Sequence, residues 1–145
     1  MDAIRVKKLR EDAIVPTYGS AEAAGADLYA CMDETVVVAP GESVWINSGV
    51  AVELPVGYVG LIFARSSMGV KRGLAPANKV GVIDSDYRGE LRVVLYNHSK
   101  AEQQVEPGER IAQLVITPII TPGFTVVDEL SDTSRADKGF GSTGK

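Results

Sequence analysis

The sequence predicts an all-β domain, a sandwich or barrel, on three observations. Short runs dominated by β-branched residues follow one another along almost the whole chain. Turn signals rich in Pro and Gly separate them at the spacing such folds use. Only one stretch, SSMGVKRG at 66–73, reads as a brief helical turn.

The elements come in this order. TVVVAPGESVWINSGVAVELPVGYVGLIF at 35–63 reads as strand, Pro-Gly turn, strand, Pro-Val-Gly turn, strand. In SSMGVKRG, Ser66 or Ser67 stands where an N-cap belongs. VGVIDSDYRGEL at 80–91 reads as a hairpin, with Val82 and Ile83 on one arm, Leu91 to Val94 on the other and polar residues at the tip. QQVEPGERIAQLVITPIITPGFTVVDEL at 103–130 continues the pattern, with turns at EPG and TPG and a last strand expected in FTVVDEL. The ending, RADKGFGSTGK at 135–145, repeats with neither a strand's nor a helix's period, so a flexible tail is expected.

Composition narrows the function. The chain has 145 residues, 45% hydrophobic and 23% charged, which fits one ordinary globular domain with its own core. Its net charge of −4 argues against a general nucleic-acid or membrane-surface binder. The single cysteine, Cys31, excludes an internal disulfide framework and fits a reducing compartment. The start, MDAIRVKKLRED, has no apolar signal core, and no run reaches membrane-spanning length. A cytoplasmic protein is expected.

Several connections carry glycine beside charge, where a rigid scaffold places its chemistry. In VGVIDSDYRGEL, Asp84 follows an apolar strand, where burial could hold a carboxylate in one orientation. Tyr87 and Arg88 offer a flat ring and a cation beside it. A hairpin that opens slightly also exposes backbone groups able to read the edge of a planar base. For a lone DxD the ordinary reading is a solvated turn. ARSSMG sets a cation and two hydroxyls at a helix start, a phosphate-binding arrangement, although in isolation the ordinary reading of this motif is a plain N-cap serine. AGADLYA places Asp27 behind Gly25, and GERIAQL places Arg110 and Gln113 at a strand head. Gly139, Gly144 and Lys145 match part of a nucleotide P-loop, but nothing in the tail supplies the strand and helix that motif needs. Glycine-rich backbone can still cradle phosphate through its N–H groups.

Taken together and in order, AGADLYA, ARSSMG, GVIDSDYRGE, GERIAQL and RADKGFGSTG resemble the five motifs of the trimeric deoxyuridine triphosphatases. The resemblance implies a distorted jelly-roll-type β-barrel over 1–134 with one short helix, and a flexible glycine-rich C-terminal lid over 135–145. It implies a homotrimer with shared active sites, and magnesium-dependent hydrolysis of dUTP to dUMP and pyrophosphate. That reaction keeps uracil out of DNA and supplies dUMP for thymidylate synthesis. By matching position, Asp84 would be the base that activates water for in-line attack on the α-phosphorus. Tyr87 would lie against the deoxyribose and exclude a 2′-hydroxyl. Asn78 and the backbone at Val82, Ile83 and Arg92 would recognise uracil. Arg65, Ser66, Ser67 and Gln113 would contact phosphate, joined by Arg135, Ser142 and Thr143 from the tail. Phe140 would stack on the base. Asp27 would hold water ligands of the magnesium ion (Mg2+). The sequence departs from the family's tail, RGxGGFGSTG, at Ala136 and Lys138, and has Ser67 where many members have glycine.

Two rivals are weaker. The dCTP deaminase of the same fold resembles this chain at RSS but relies on a glutamate where Val94 stands. A non-catalytic jelly-roll module would have no use for Asp84 together with Tyr87 and an intact tail. His98 is the only histidine and reads as an exposed turn residue, which disfavours a metal-centred hydrolase. Cys31 reads as inert.

Overall fold

The computed structural model describes residues 2–141. Among these, nearly all regular structure is strand. The chain opens with β1 (Arg5–Lys8), β2 (Thr17–Tyr18), β3 (Ala26–Tyr29) and β4 (Val36–Val38). Then come β5 (Ser43–Asn47), β6 (Val50–Glu53), β7 (Tyr58–Phe63) and, after a helical turn, β8 (Leu74–Pro76). β9 (Gly81–Ile83), β10 (Arg92–Asn97), β11 (Gln103–Val105) and β12 (Arg110–Pro118) complete the order. The largest sheet runs β2-β3-β12-β7-β9 and a second runs β5-β10-β8, while β1 pairs β6 and β11 pairs β4. The architecture is all-β and jelly-roll-like.

Alternation builds the core. Along β10, Val93, Leu95 and Asn97 point inward while Arg92 is exposed and Val94 and Tyr96 are half-buried. Leu28, Ile46, Leu74, Leu91, Leu95 and Ile111 are all at most 1% exposed, and they come from both larger sheets and the segments between them. Each such side chain contributes about 1.5–3 kcal/mol relative to exposure. A register shift between Arg110 and Ala112 lets Ile111 and Ala112 both face inward where strict alternation would forbid it. The polar Asn97 is tolerated at the centre because its amide donates to the carbonyls of Val38 and Ala101, each at 2.8 Å.

Four local expectations change. SVWINSGVAVEL is two strands, because Gly49 takes φ +71 and leaves no room for a Cβ, which would meet the Cys31 sulfur at 2.6 Å. The helical turn is a five-residue π-turn, Ser67–Lys71, and Ser66 precedes it in helical backbone without a side-chain cap bond. FTVVDEL is not a strand: Phe124, Val126 and Leu130 are 101%, 99% and 87% exposed, and among the described residues no strand lies alongside to complete a ladder. The segment read as a hairpin is not one. β9 bonds to β7 and β10 bonds to β5 and β8, so its two arms belong to different sheets. Among the described residues no helix is long and apolar enough to cross a membrane.

Candidate active site

The splayed arms leave a groove between β9 and β10. Local sequence makes it: Lys79 adopts a left-handed backbone, φ 69, after Pro76 accepts its N–H, and the chain enters β9 away from β10. At the far end the Tyr87 N–H donates to the Asp84 carbonyl at 3.1 Å, closing the tip. One lobe of the groove, about 180 Å³, is lined by Asp84, Tyr87 and Glu90 together with Val82, Ile83, Arg92 and Trp45. The other, about 170 Å³, adds Asn78 and Gly81 to the last four. The groove therefore gathers Asn78, Val82, Ile83, Asp84, Tyr87 and Arg92, but not Arg88, whose guanidinium turns away to the Ser85 carbonyl at 2.6 Å and toward Glu53 at 3.7 Å. Tyr87 is fixed by its hydroxyl, which donates to the Glu90 carbonyl at 3.0 Å. Asp84, expected to be held by burial, is exposed, because it stands beyond the last residue of an edge strand.

A second group forms elsewhere. Asp27, 8% exposed, receives Arg65 Nε at 2.7 Å and Arg110 Nη1 at 3.4 Å, one on each carboxylate oxygen. Burying a carboxylate is costly unless it is paired in this way. Arg65 Nη1 also donates to Ser67 Oγ at 3.3 Å, which ties the start of the π-turn to the pair. Gln113 donates from Nε2 to the Ala64 carbonyl at 2.9 Å. Its other amide atom packs where Gly25 has no side chain, since a Cβ there would lie 2.4 Å away. Asp27, Arg65, Ser67 and Gln113 thus form one cationic corner, with Ser66 exposed beside it. Arg110 is a member that the motif reading left out. A strand-head arginine in GERIAQL gave a weak signal, and the β12–β3 pairing makes it count.

The two groups are far apart. Ile83 pairs with Gly60, so Asp84 leaves β9 level with Val59, near the start of β7. Arg65 follows the other end of β7, six residues beyond Val59. At ~3.3 Å per residue that is on the order of 20 Å. One nucleotide cannot present its phosphates to both groups of a single chain.

The tail's described part bonds to itself and its approach. Arg135 donates to the Lys138 carbonyl at 2.8 Å, and the Ala136 N–H to Thr133 Oγ1 at 3.1 Å. Ala136 adopts φ 49, a left-handed conformation that suits the glycine it replaces in the motif. Phe140 is fully exposed. Ser142 and Thr143 lie outside the described residues.

Other reactive groups stand aside. Cys31 is buried, and burial first, then the Asp12 carboxylate, pushes its thiol up, away from the reactive thiolate. His98 is exposed and its Nε2 lies 3.1 Å from the Gly69 carbonyl. Among the described residues no three His, Cys, Asp or Glu gather into a metal cage. Trp45, mid-strand and alternating, gave no signal of a site and yet lines both lobes.

Comparisons with known proteins identify the family. The dUTPase family profile matches residues 11–144. The chain is 50% identical to the deoxyuridine 5'-triphosphate nucleotidohydrolase of Hydrogenobaculum sp. (strain Y04AAS1) over 139 residues, 96% of each. It is 46% identical to that of Syntrophotalea carbinolica, over 97% of this chain and 96% of the relative. Among solved structures, a Staphylococcus bacteriophage 80alpha dUTPase mutant with dUpNHpp matches with TM-score 0.90 and 34% identity over all of both chains. A dUTPase mutant from phage phi11 of S. aureus, whose structure shows a coordinated structural Mg(II) ion, matches with TM-score 0.82 and 31% identity over 90% of this chain and 100% of that one.

Proposed function

The chain belongs to the dUTPase family and hydrolyses dUTP, and on that premise we propose that each active site joins the β9–β10 groove of one subunit to the cationic corner of another. The observation that carries this is the separation along β7, which keeps Asp84 and Arg65 of one chain from serving one nucleotide.

In this reading uracil enters the groove edge-on. The backbone of β9 and β10 at Val82, Ile83 and Arg92, on strand edges that line the groove, with Asn78, offers donors and acceptors to the base edge. The narrow gap excludes the thymine methyl and mismatches the cytosine amino group. Tyr87, pinned to Glu90, lies against the deoxyribose and leaves no place for a 2′-hydroxyl. Asp84 takes a proton from water as its oxygen bonds in line to the α-phosphorus. The bond from that phosphorus to the bridging oxygen breaks, releasing dUMP and pyrophosphate. Arg65, Ser66, Ser67 and Gln113 of the neighbouring subunit receive the departing charge, which is where positioned cations contribute most.

The barrel domain spans 1–134, and 135–145 closes over the site as a lid. Arg135, Ser142 and Thr143 add phosphate contacts, and Phe140 stacks on the base. The assembly is a homotrimer. The exposed apolar side chains at Phe124, Val126 and Leu130 support association, because copies can cover them. A cytoplasmic location is compatible with the single free cysteine.

Magnesium fits the cationic corner only as an outer partner. Asp27 is a hard oxygen ligand beside the phosphate residues, but each of its oxygens already faces a guanidinium. It can hold water ligands of an ion that arrives on the triphosphate, consistent with magnesium's habit of keeping its waters. Once bound, the ion would neutralise phosphate charge.

The test is the purified protein with a panel of deoxynucleoside triphosphates and UTP, with magnesium or with chelator, scored for pyrophosphate. Only dUTP should turn over well, and only with magnesium. Comparable use of dCTP or dTTP would refute the groove as the base site.

A further inference from the structure

Trp45 is the chain's single tryptophan and is 64% exposed, an unusual place for the largest apolar side chain. It pairs with Val94 across β5 and β10, and Arg92 pairs with Asn47, so Trp45 and Arg92 are diagonal neighbours on one face. The Arg92 guanidinium carbon sits 4.9 Å from the Trp45 ring centroid, a cation–π stack. Both residues line both lobes of the groove.

Arg92 has a competing destination. Asp84 and Glu90 line the same lobe. Glu90 is engaged, accepting the Gly49 N–H at 2.8 Å, but among the described residues no ion pair engages Asp84. An arginine side chain released into the groove would be drawn to that carboxylate. It would fill the space a base needs and occupy the group that must face water.

We propose that Trp45 is a positioning residue of the base groove: by stacking on Arg92 it holds that side chain off Asp84 and keeps the groove open to the nucleotide. The proposal rests on the groove being the uracil site. Occlusion competes with substrate, so losing the stack weakens binding by the lost open fraction and leaves saturated turnover intact.

The experiment measures KM and kcat for dUTP with magnesium in four variants. Trp45→Leu should raise KM measurably, with a ceiling of about 2- to 5-fold set by an exposed cation–π contact, and leave kcat unchanged. Trp45→Phe keeps a ring and should stay near wild type. Adding Arg92→Leu to Trp45→Leu removes the occluding group and should bring KM back down. A purely structural role for Trp45 predicts no such rescue. A Trp45→Leu protein with unchanged KM, a double variant as impaired as the single, or a change of oligomeric size in Trp45→Leu would each overturn the proposal. Asn78→Ala separates the failures. If it raises KM while Trp45→Leu does not, only the proposal falls. If neither moves KM, the base-groove reading falls with it.

Discussion

A site divided between chains makes a sharp arithmetical prediction. Asp84→Asn keeps size and hydrogen bonding but removes the base, and should cost about 10²–10⁴-fold in turnover. Arg65→Gln removes the principal cation of the phosphate corner, while Arg110 still faces Asp27 at 3.4 Å and spares a buried carboxylate from standing alone. Neither parent should retain more than about 1% of activity. Asp84 and Arg65 of one chain lie on the order of 20 Å apart along β7. In the proposed assembly a working site draws them from two chains. In a cyclic trimer containing both variants, whichever is in excess, one site of the three joins an intact Asp84 to an intact Arg65. Chains carrying different affinity tags, exchanged and purified through both, should show about a third of wild-type activity. Each parent must first match wild type in circular dichroism and size. Doubly tagged trimers as inactive as the parents would refute the division of the site between chains.

The remaining outcomes are simpler. Asp86→Asn, two residues from Asp84 on the exposed tip, should change turnover little; if it does the damage and Asp84→Asn does not, the base has been misassigned. Phe140→Ala should weaken binding of a non-hydrolysable dUTP analogue by about 1–3 kcal/mol, the worth of base–aromatic stacking, and unaltered affinity in calorimetry would remove Phe140 from the lid. Asn97→Ala removes the side-chain donor to the Val38 carbonyl, while Ser99 Oγ still reaches the Ala101 carbonyl at 2.9 Å, and should cost about 1–3 kcal/mol in urea unfolding. A midpoint equal to wild type would mean that Asn97 is not needed at the core.

The sequence shows best what is local. AGADLYA and GERIAQL, read as connections, put Asp27, Arg110 and Gln113 on the paired strands β3 and β12, and with ARSSMG they converge in space as their chemistry suggests. Sheet membership is not local. Val82–Ile83 and Leu91–Val94 flank a polar tip, which is how a hairpin looks. Nothing in that stretch reveals that β9 bonds to β7, some twenty residues earlier in the chain. The distance between Asp84 and Arg65 was hidden for the same reason, since spacing in sequence does not say which end of a strand a residue leaves. FTVVDEL has a strand's composition, but a ladder needs a neighbour that the described residues do not supply. Trp45 reads as packing because an aromatic in an alternating strand normally is packing.

An unpaired strand edge usually invites other strands, and two such edges face this groove: the outer edge of β9 and the end of β10 that β8 does not cover. The groove guards itself by means visible in its residues. β9 is only three residues long, too short to template much pairing. Lys79 stands before it, and Asp84, Asp86 and Arg88 follow it, so a strand sliding in would meet charge at both ends. A flat base needs no ladder and can use the backbone edges without displacing those charges. Residues 119–127, IITPGFTVV, are the opposite case: they carry no charge at all and expose their apolar side chains. Charge gathers around the edges that must stay open for the nucleotide. It is missing from the segment whose exposed surface another copy would cover, and that contrast is what the proposed assembly requires.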